Sequence, residues 1–335
     1  MASQRDVRLR MRAIGQTLQV TRAMNLISTS KLRKGRRVLE DTEPFFTRIQ
    51  KTMCDILGAA EQVESRFLKA APSPAKPETA GPGRGGGGPA GGAPGGTGAA
   101  PAGTGAAPAV KRGAVLVISS DKGLAGGYNA NVFREVNRLC ENLAGGASPR
   151  TPVLILIGAI AYRYFIHSPR VILENFSFRS RLPDMDDARE IADFIISQFL
   201  WGMFDEVYIV YTHMYSAVKL LPETIQILPL SREGLEETLA KTGAEKRVAL
   251  RFEYHPSEEA VFDALVPMYV KGIIYGCLVE SYASEQSARM SAMDEASESA
   301  EEMLGSLRLS YNRARQAGIT QEVTEIVSGG AALGF

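Results

Sequence analysis

Residues 5–37 read RDVRLRMRAIGQTLQVTRAMNLISTSKLRKGRR, and the spacing within them decides the fold. Val7, Met11, Ile14, Leu18, Thr21, Asn25, Ser28 and Leu32 recur at steps of 4-3-4-3-4-3-4, a heptad seam along one helix face. The seam begins apolar and turns small and polar, which permits close approach of a second helix. Up to about Lys69 only Gly15, Gly35, Pro44 and Gly58 interrupt the pattern. Pro44 lacks a backbone donor and should kink the helix near Asp41. The far end of the chain repeats the device. From Ser257 to about Val327 the helical period hardly breaks, and Met290, Met293, Ser297, Ala300, Leu304, Leu307, Tyr311 and Ala314 fall at strict 3-4 spacing. A helix of ~70 residues is a rod on the order of 100 Å, whereas a ~130-residue globule is only about 30–40 Å across. The rod must project. The simplest arrangement pairs the two ends as an intramolecular antiparallel coiled coil; two separate coiled-coil dimer interfaces are the alternative. The free end of such a pair exposes Val323, Ile326, Ala331 and Leu333, an apolar surface that needs a partner.

Between the two seams the period changes. GAVLVISS (113–120) and PVLILIG (152–158) read as buried strands, VILENFSF (171–178) as a third, and EVYIVYTH (206–213), ETIQILPL (223–230) and KRVALRFEYH (246–255) as three more. Helical segments alternate with them at Asn129–Leu143, Ala159–Ile166 and Asp186–Trp201, the last capped by Asp184 or Asp186. Strands separated by helices predict a mostly parallel sheet with the closing strands antiparallel at its edge. The fold class is therefore α/β: a long antiparallel coiled coil of the N- and C-terminal helices plus a central Rossmann-like α/β domain. The expected division is 1–70 and 257–335 for the shaft helices, 113–256 for the central domain, and 71–112 for a Pro/Ala/Gly-rich insertion. That insertion has almost no side chains to bury and is expected to be disordered.

With 335 residues, 45% hydrophobic and 22% charged, the chain suits a globular protein with a real core. A net charge of +1 names no polyanionic partner, yet residues 1–37 carry ten Arg or Lys against Asp6 alone. Cys54, Cys140 and Cys277 lie far apart and form neither a disulfide scaffold nor a CxxC site. The longest apolar run, Pro152–Ala161, is far short of the ~20 residues of a membrane helix. An organellar leader is not expected either, because the seam already begins at Val7.

The chemistry-bearing candidates are few. SSDKGLAGGYNAN (119–131) places glycines between a strand and a helix, where a phosphate cradle is built in nucleotide-binding folds. Its Gly123, Gly126 and Gly127 match neither GxGxxG nor a GK[ST] helix start, so a tight turn with left-handed backbone angles is the better reading. Arg5, Arg8, Arg10, Arg12, Arg22, Lys31, Arg33, Lys34, Arg36 and Arg37 form a basic helix, but residues 1–44 contain no aromatic ring to stack on a base. A protein-facing surface fits better than nucleic acid. His167, His213 and His255 are isolated, and the acid-rich MDDARE (185–190) and MDEASESAEE (293–302) read as helix caps and helix surface. No catalytic, cofactor or metal site is expected.

Four stretches in order resemble the gamma subunit of F-type ATP synthases. These are the opening helix 5–37 with Thr21–Met24, ISSDKGLAGGYNANV (118–132), ESYASEQSARMSAMDEASESAEEML (280–304), and YNRARQAGITQEVTEIVSGGAAL (311–333), the most specific of the four. The resemblance implies a central rotary shaft that transmits torque between a membrane c-ring and a ring of three alpha and three beta subunits. It also implies an epsilon partner, proton or sodium transport, and catalysis on beta rather than on this chain. Met24 matches the position facing an acidic lever of beta, with Arg8, Lys31 and Arg33 supplying positive charge nearby. Arg315, Gln316, Thr320 and Glu325 match polar positions that engage the ring, and the SGGAAL end suits a bearing. The setting implied is the cytoplasmic side of a bacterial inner membrane, as a peripheral protein. The chain departs from the family pattern in its 71–112 insertion, in Ala125 where many members carry Cys, and in the terminal Gly334-Phe335; thiol regulation is not expected. The competing readings are a nucleotide-binding α/β enzyme using the Gly123–Gly127 turn and a coiled-coil nucleic-acid adaptor relying on Arg8, Arg10 and Arg33.

Overall fold

The structure, a computed structural model, describes residues 4–59, 65–68, 112–145, 150–177, 181–216, 219–231, 255 and 257–332. Residues 71–111 of the expected insertion, residues 246–254 of the strand expected at 246–255 and the terminal Gly334-Phe335 lie outside the described residues.

Helix α1 (Gln4–Ala59) runs unbroken through Pro44. Then follow β1 (Arg112–Ile118), α2 (Tyr128–Gly145), β2 (Thr151–Ile157), α3 (Ala159–Phe165), β3 (Val171–Phe176), α4 (Met185–Leu200), β4 (Glu206–Met214) and β5 (Leu220–Leu228). Helix α5 (Glu258–Ala332) closes the chain with 75 residues, about 110 Å of rod. Arg112, assigned to the insertion on composition, is the first residue of β1. Its amide donates to Asp205 Oδ2 at 2.9 Å.

The sheet order is β3-β2-β1-β4-β5, with β1 parallel to β2 and β4, β2 parallel to β3, and β5 antiparallel to β4. Alternation along β1 explains why its apolar run is buried on both faces. Ala114, Leu116 and Ile118 face α1, α4 and α5 in one core with Ile49, Met53, Ile191, Ile195, Phe262 and Val266. Val115 and Val117 face α2 and α3 in the other, with Val132, Val136, Ala161 and Phe165. Asp184, one of the two expected caps, starts α4. Its carboxylate accepts from Asp187 N at 3.0 Å, while Asp187 accepts from Asp184 N at 2.9 Å. Hydropathy alone would let α5 cross a membrane; its apolar half instead packs Phe262, Val266, Val270, Ile274 and Leu278 into the core.

Helices α1 and α5 pair antiparallel within the chain, as the matched seams require. Every α1 seam residue is buried or half-buried, and Ser28 is 1% exposed. Ser297 Oγ donates to Thr21 Oγ1 at 2.7 Å, Asn25 Nδ2 donates to Met290 O at 3.2 Å, and Arg22 pairs with Glu301 at the rim. Small side chains set the spacing: a Cβ added at Gly35 would stand 3.5 Å from the Cβ of Ala283. Since Thr21 meets Ser297, α1 runs out opposite the 310s of α5. Beyond that point α5 stands alone.

Enlarging the seam where Ala283 meets Gly35 should therefore push the helices apart. Ala283→Leu is expected to destabilise the full chain by about 1–3 kcal/mol, the usual range for overpacking. A lower urea midpoint with an unchanged slope would be the measured sign.

Candidate functional site

Two surfaces carry the residues singled out from sequence, and the register keeps them apart. Met24, Lys31 and Arg33 lie on α1 at the level of the α5 residues in the 280s and 290s. Arg33 is exposed, while Met24 and Lys31 are half-buried at the seam. Arg8 sits near the start of α1, and Arg315, Gln316, Thr320 and Glu325 lie on the lone end of α5, all exposed. On that end Thr320 Oγ1 donates back to Gln316 O at 2.9 Å, and Gln321 Nε2 donates to Glu325 Oε1 at 3.0 Å. These side chains are bonded within their own helix. Ile319, Val323, Ile326 and Val327 share the same stretch, with Ile326 74% exposed. The side chains of Ala331 and Leu333, expected to join them, lie outside the described residues.

The glycine turn after β1 is the second surface, and it is occupied from within. Only Gly126 (φ 53°) among its glycines takes a left-handed conformation; the other left-handed residue is Leu124 (φ 64°), which the sequence did not single out. Ser120 Oγ donates to Lys122 O at 2.8 Å, and Asn129 holds Ser120 through both its backbone N and its hydroxyl. Asp121 Oδ1 accepts from Ala159 N at 3.0 Å at the start of α3. The turn presents carbonyls to α5: Arg289 donates to Lys122 O at 3.1 Å and to Gly123 O at 3.2 Å, and pairs with Glu285 at 2.7 Å. A cradle for an anion needs converging amides rather than carbonyls.

In open α/β sheets a ligand enters where the strand order reverses, outside the carboxyl ends of the strands. Here that point is the crevice between β1 and β4, and α5 fills it. Ser284 Oγ donates to Thr212 O at 3.0 Å, Thr212 N donates to Ser281 Oγ at 3.4 Å, and Met214 N donates to Glu280 Oε1 at 3.1 Å. The same Glu280 oxygen stands 2.5 Å from His213 Nδ1. What remains under Gly158, Tyr128 and Glu285 is a cavity of about 40 Å³, against about 300 Å³ or more for a cofactor-sized ligand. A groove of about 290 Å³ opens beside Gly126, but Glu295 is the one charged residue lining it. The nucleotide-binding alternative loses its site on both counts. Among the described residues no group of three or more His, Cys, Asp and Glu is placed to hold a metal.

The model of the ATP synthase family matches residues 3–333. The ATP synthase gamma chain of Acetivibrio thermocellus is 36% identical over 334 residues, covering 99% of this chain and all of the relative. That of Ruminiclostridium cellulolyticum is 38% identical, with 98% of each chain covered. The chain belongs to the ATP synthase gamma-chain family. In fold it is also similar to a chain of the Euglena gracilis mitochondrial ATP synthase, in a structure of OSCP, F1 and c-ring (TM-score 0.59, 14% identity, 98% of this chain and 94% of that one). A chain of the Tetrahymena thermophila mitochondrial ATP synthase, in a structure of central stalk and c-ring, gives a TM-score of 0.52 at 20% identity, over 83% of this chain and 99% of that one.

Within this gamma-family chain, the contacts of 280–289 are what the sequence reading missed. Glu280, Ser281, Ser284, Glu285 and Arg289 are polar residues within a long helix, and such residues ordinarily mark a solvated face. Their signal was the company they keep: from Glu280 to Arg289 the one large ring is Tyr282, so the polar groups were available to face inward. Lys31 acts on this region too. Burial pushes the Glu285 carboxyl above its ordinary range, Arg289 beside it pulls it down, Asp121 raises it and Lys31 lowers it. Burial likewise pushes the Cys277 thiol well up, which suits an inert packing role.

The raised Glu285 carboxyl has a definite consequence. Between about 4.5, its ordinary value, and the higher folded value, the folded chain holds the proton that the unfolded chain has released. Stability from this group is complete below that window and declines as pH rises through it. Urea unfolding from pH 4.5 to 7.5 should show wild type losing stability relative to Glu285→Gln as pH rises; parallel profiles would contradict it.

Proposed function

We propose that the chain is the central rotary shaft of an F-type ATP synthase, carrying torque between a membrane c-ring and a ring of three alpha and three beta subunits while proton or sodium flow drives the turn. The observation that carries this reading is the lone end of α5, which extends past α1 with Ile319, Val323, Ile326 and Val327 uncovered. An exposed apolar stripe of this kind marks a surface for a partner, here a sleeve around the rod. Such a sleeve must also let it turn, so contacts without fixed direction suit it. Family membership supplies the sleeve's identity, and the solved neighbours come from complexes with F1 and c-ring.

On this reading the shaft comprises 1–70 and 257–335, the central unit runs from Arg112 to 256, and 71–111 is an insertion carried by the rotor. The chain is a non-catalytic subunit; nucleotide chemistry belongs to beta, whose conformations are biased by unequal contacts with the turning shaft. Met24 faces the acidic lever of beta with the charges of Lys31 and Arg33 on its sheet side; Arg8, about 24 Å further along α1, and Arg315, Gln316, Thr320 and Glu325 engage the ring higher up. Epsilon binds the central unit. The complex sits on the cytoplasmic side of a bacterial inner membrane, and the chain is peripheral to it.

A pull-down of the tagged chain tests this directly. One copy per three alpha and three beta subunits, with Mg-dependent ATPase activity, is the expected result, and a lone chain that binds nucleotide would overturn it. Met24→Lys adds a cation at the lever and should lower ions pumped per ATP hydrolysed more than it lowers assembly. Deleting 71–110 should leave the complex and its ATPase intact.

A further inference from the structure

The rotor reading leaves a mechanical question: where torsion crosses from the sheet to α5. Apolar packing between them, through Val266, Val270 and Ile274, resists separation, but it has no direction of its own and resists twisting about the helix axis poorly. Hydrogen bonds and ion pairs have direction. The described directional contacts from α5 to β1, β4 and the turn between β1 and α2 fall within residues 280–289, in two groups. Glu280, Ser281 and Ser284 hold the end of β4, and Arg289 holds the turn after β1 through Lys122 O and Gly123 O.

The two groups together span about 13 Å of the rod, from Glu280 to Arg289, and so oppose both tilting and rotation. Arg289 is the better anchored. Its side chain is 12% exposed, and Glu285, itself buried, fixes it from the preceding turn of α5. The turn it holds is braced in its own right by the Ser120–Asn129 bonds and by Asp121 at the start of α3, so a pull on Lys122 and Gly123 reaches the sheet. Ala125, next along the turn, is buried, and Gly126 approaches Ala292 closely enough that a Cβ added there would stand 3.6 Å from its Cβ.

Resting on the rotor reading, we infer that Arg289 is a positioning residue for torque transfer: it locks the turn Ser120–Gly127 to the shaft, and the sheet drives α5 through it. Losing charge-assisted hydrogen bonds of this kind changes a two-state contact by about tenfold or more. The joint then slips under load while the ring outside it still hydrolyses ATP.

The test uses the complete complex in sealed vesicles, with ATP hydrolysis and ion pumping measured separately at equal complex content. Arg289→Gln should keep hydrolysis and lower the pumped-to-hydrolysed ratio by roughly twofold to tenfold, the span set by that contact. Arg289→Lys, which keeps the charge but not the fork, should recover part of the ratio, and it carries the test if the Gln variant assembles poorly. A covalent substitute separates transmission from mere folding. A Cβ at Gly126 would lie 3.6 Å from Ala292 Cβ, within the range of about 3.5–4.5 Å that a disulfide spans. Gly126 is left-handed, so a cysteine there adds backbone strain, which the reduced and oxidised forms of the pair share. Gly126→Cys with Ala292→Cys, placed in the Arg289→Gln or Arg289→Lys chain, should restore the ratio when oxidised and lose it again on reduction. A wild-type ratio in the Arg289 variants, or one indifferent to the disulfide, overturns the inference. Failure of the rotor reading looks different, because then no complex with alpha and beta is recovered at all.

Discussion

The structure depends on how closely two helices approach along one line. Gly35 opposite Ala283, Ser28 buried in the seam, and Ser297 bonded to Thr21 let α1 and α5 pack in a single register. Larger side chains at these points would hold the helices apart, and apolar ones would let them slide by a turn at little cost. A buried hydroxyl pair favours one register: Thr21 and Ser297 each reach a carbonyl of their own helix, but only in this alignment do they also meet each other. Register in turn fixes the length of α5 left uncovered beyond α1, and it fixes which residues of α5 reach the sheet. The lone apolar end and the polar stretch 280–289 are two consequences of one alignment.

That alignment also explains how, among the described residues, the crevice of a sheet with nucleotide-binding topology is filled from within the chain. The order β3-β2-β1-β4-β5 creates a crevice at the carboxyl ends of β1 and β4, the place where related sheets take ligands. The backbone and side-chain groups there still require partners, and α5 provides them. Ser281 and Ser284 serve Thr212, Glu280 serves Met214, and Arg289 serves the carbonyls of the glycine turn. Topology alone would have pointed to an enzyme; the chemistry at the strand ends points to a mount.

Much of this was legible in the sequence, for reasons that also mark the limit. The seams were readable because burial imposes a period, and Val7 to Leu32 keep it even where the residues turn polar. The sheet was readable because β1 and β2 are buried on both faces and so appear as unbroken apolar runs. The joint was not readable, because periodicity reports which face of a helix is buried and not what the buried polar groups touch. Glu285 and Arg289 are spaced as an ordinary surface pair at i, i+4, and only the fold shows them enclosed. Leu124 escaped for a related reason: its left-handed backbone is imposed by the bonded turn around it, and a leucine carries no trace of that in its identity.

The two ends of α5 thus solve opposite problems with opposite chemistry. Near the sheet, contacts must hold one angle under load, and there the helix buries carboxylates and a guanidinium despite the desolvation involved, which shows in the upward pressure on Glu280 and Glu285. Isolated, such charges would be costly. Each is tolerated because a neighbour answers it: His213 and the Met214 amide for Glu280, Arg289 for Glu285. Toward the lone end the arrangement reverses. Thr320, Thr324 and Gln321 satisfy their polar groups on the helix's own backbone or neighbours, leaving the aliphatic stripe to meet whatever surrounds it. A helix that must be gripped at one end and turn freely at the other needs its directional bonds directed outward at the first and inward at the second, and that is how α5 distributes them.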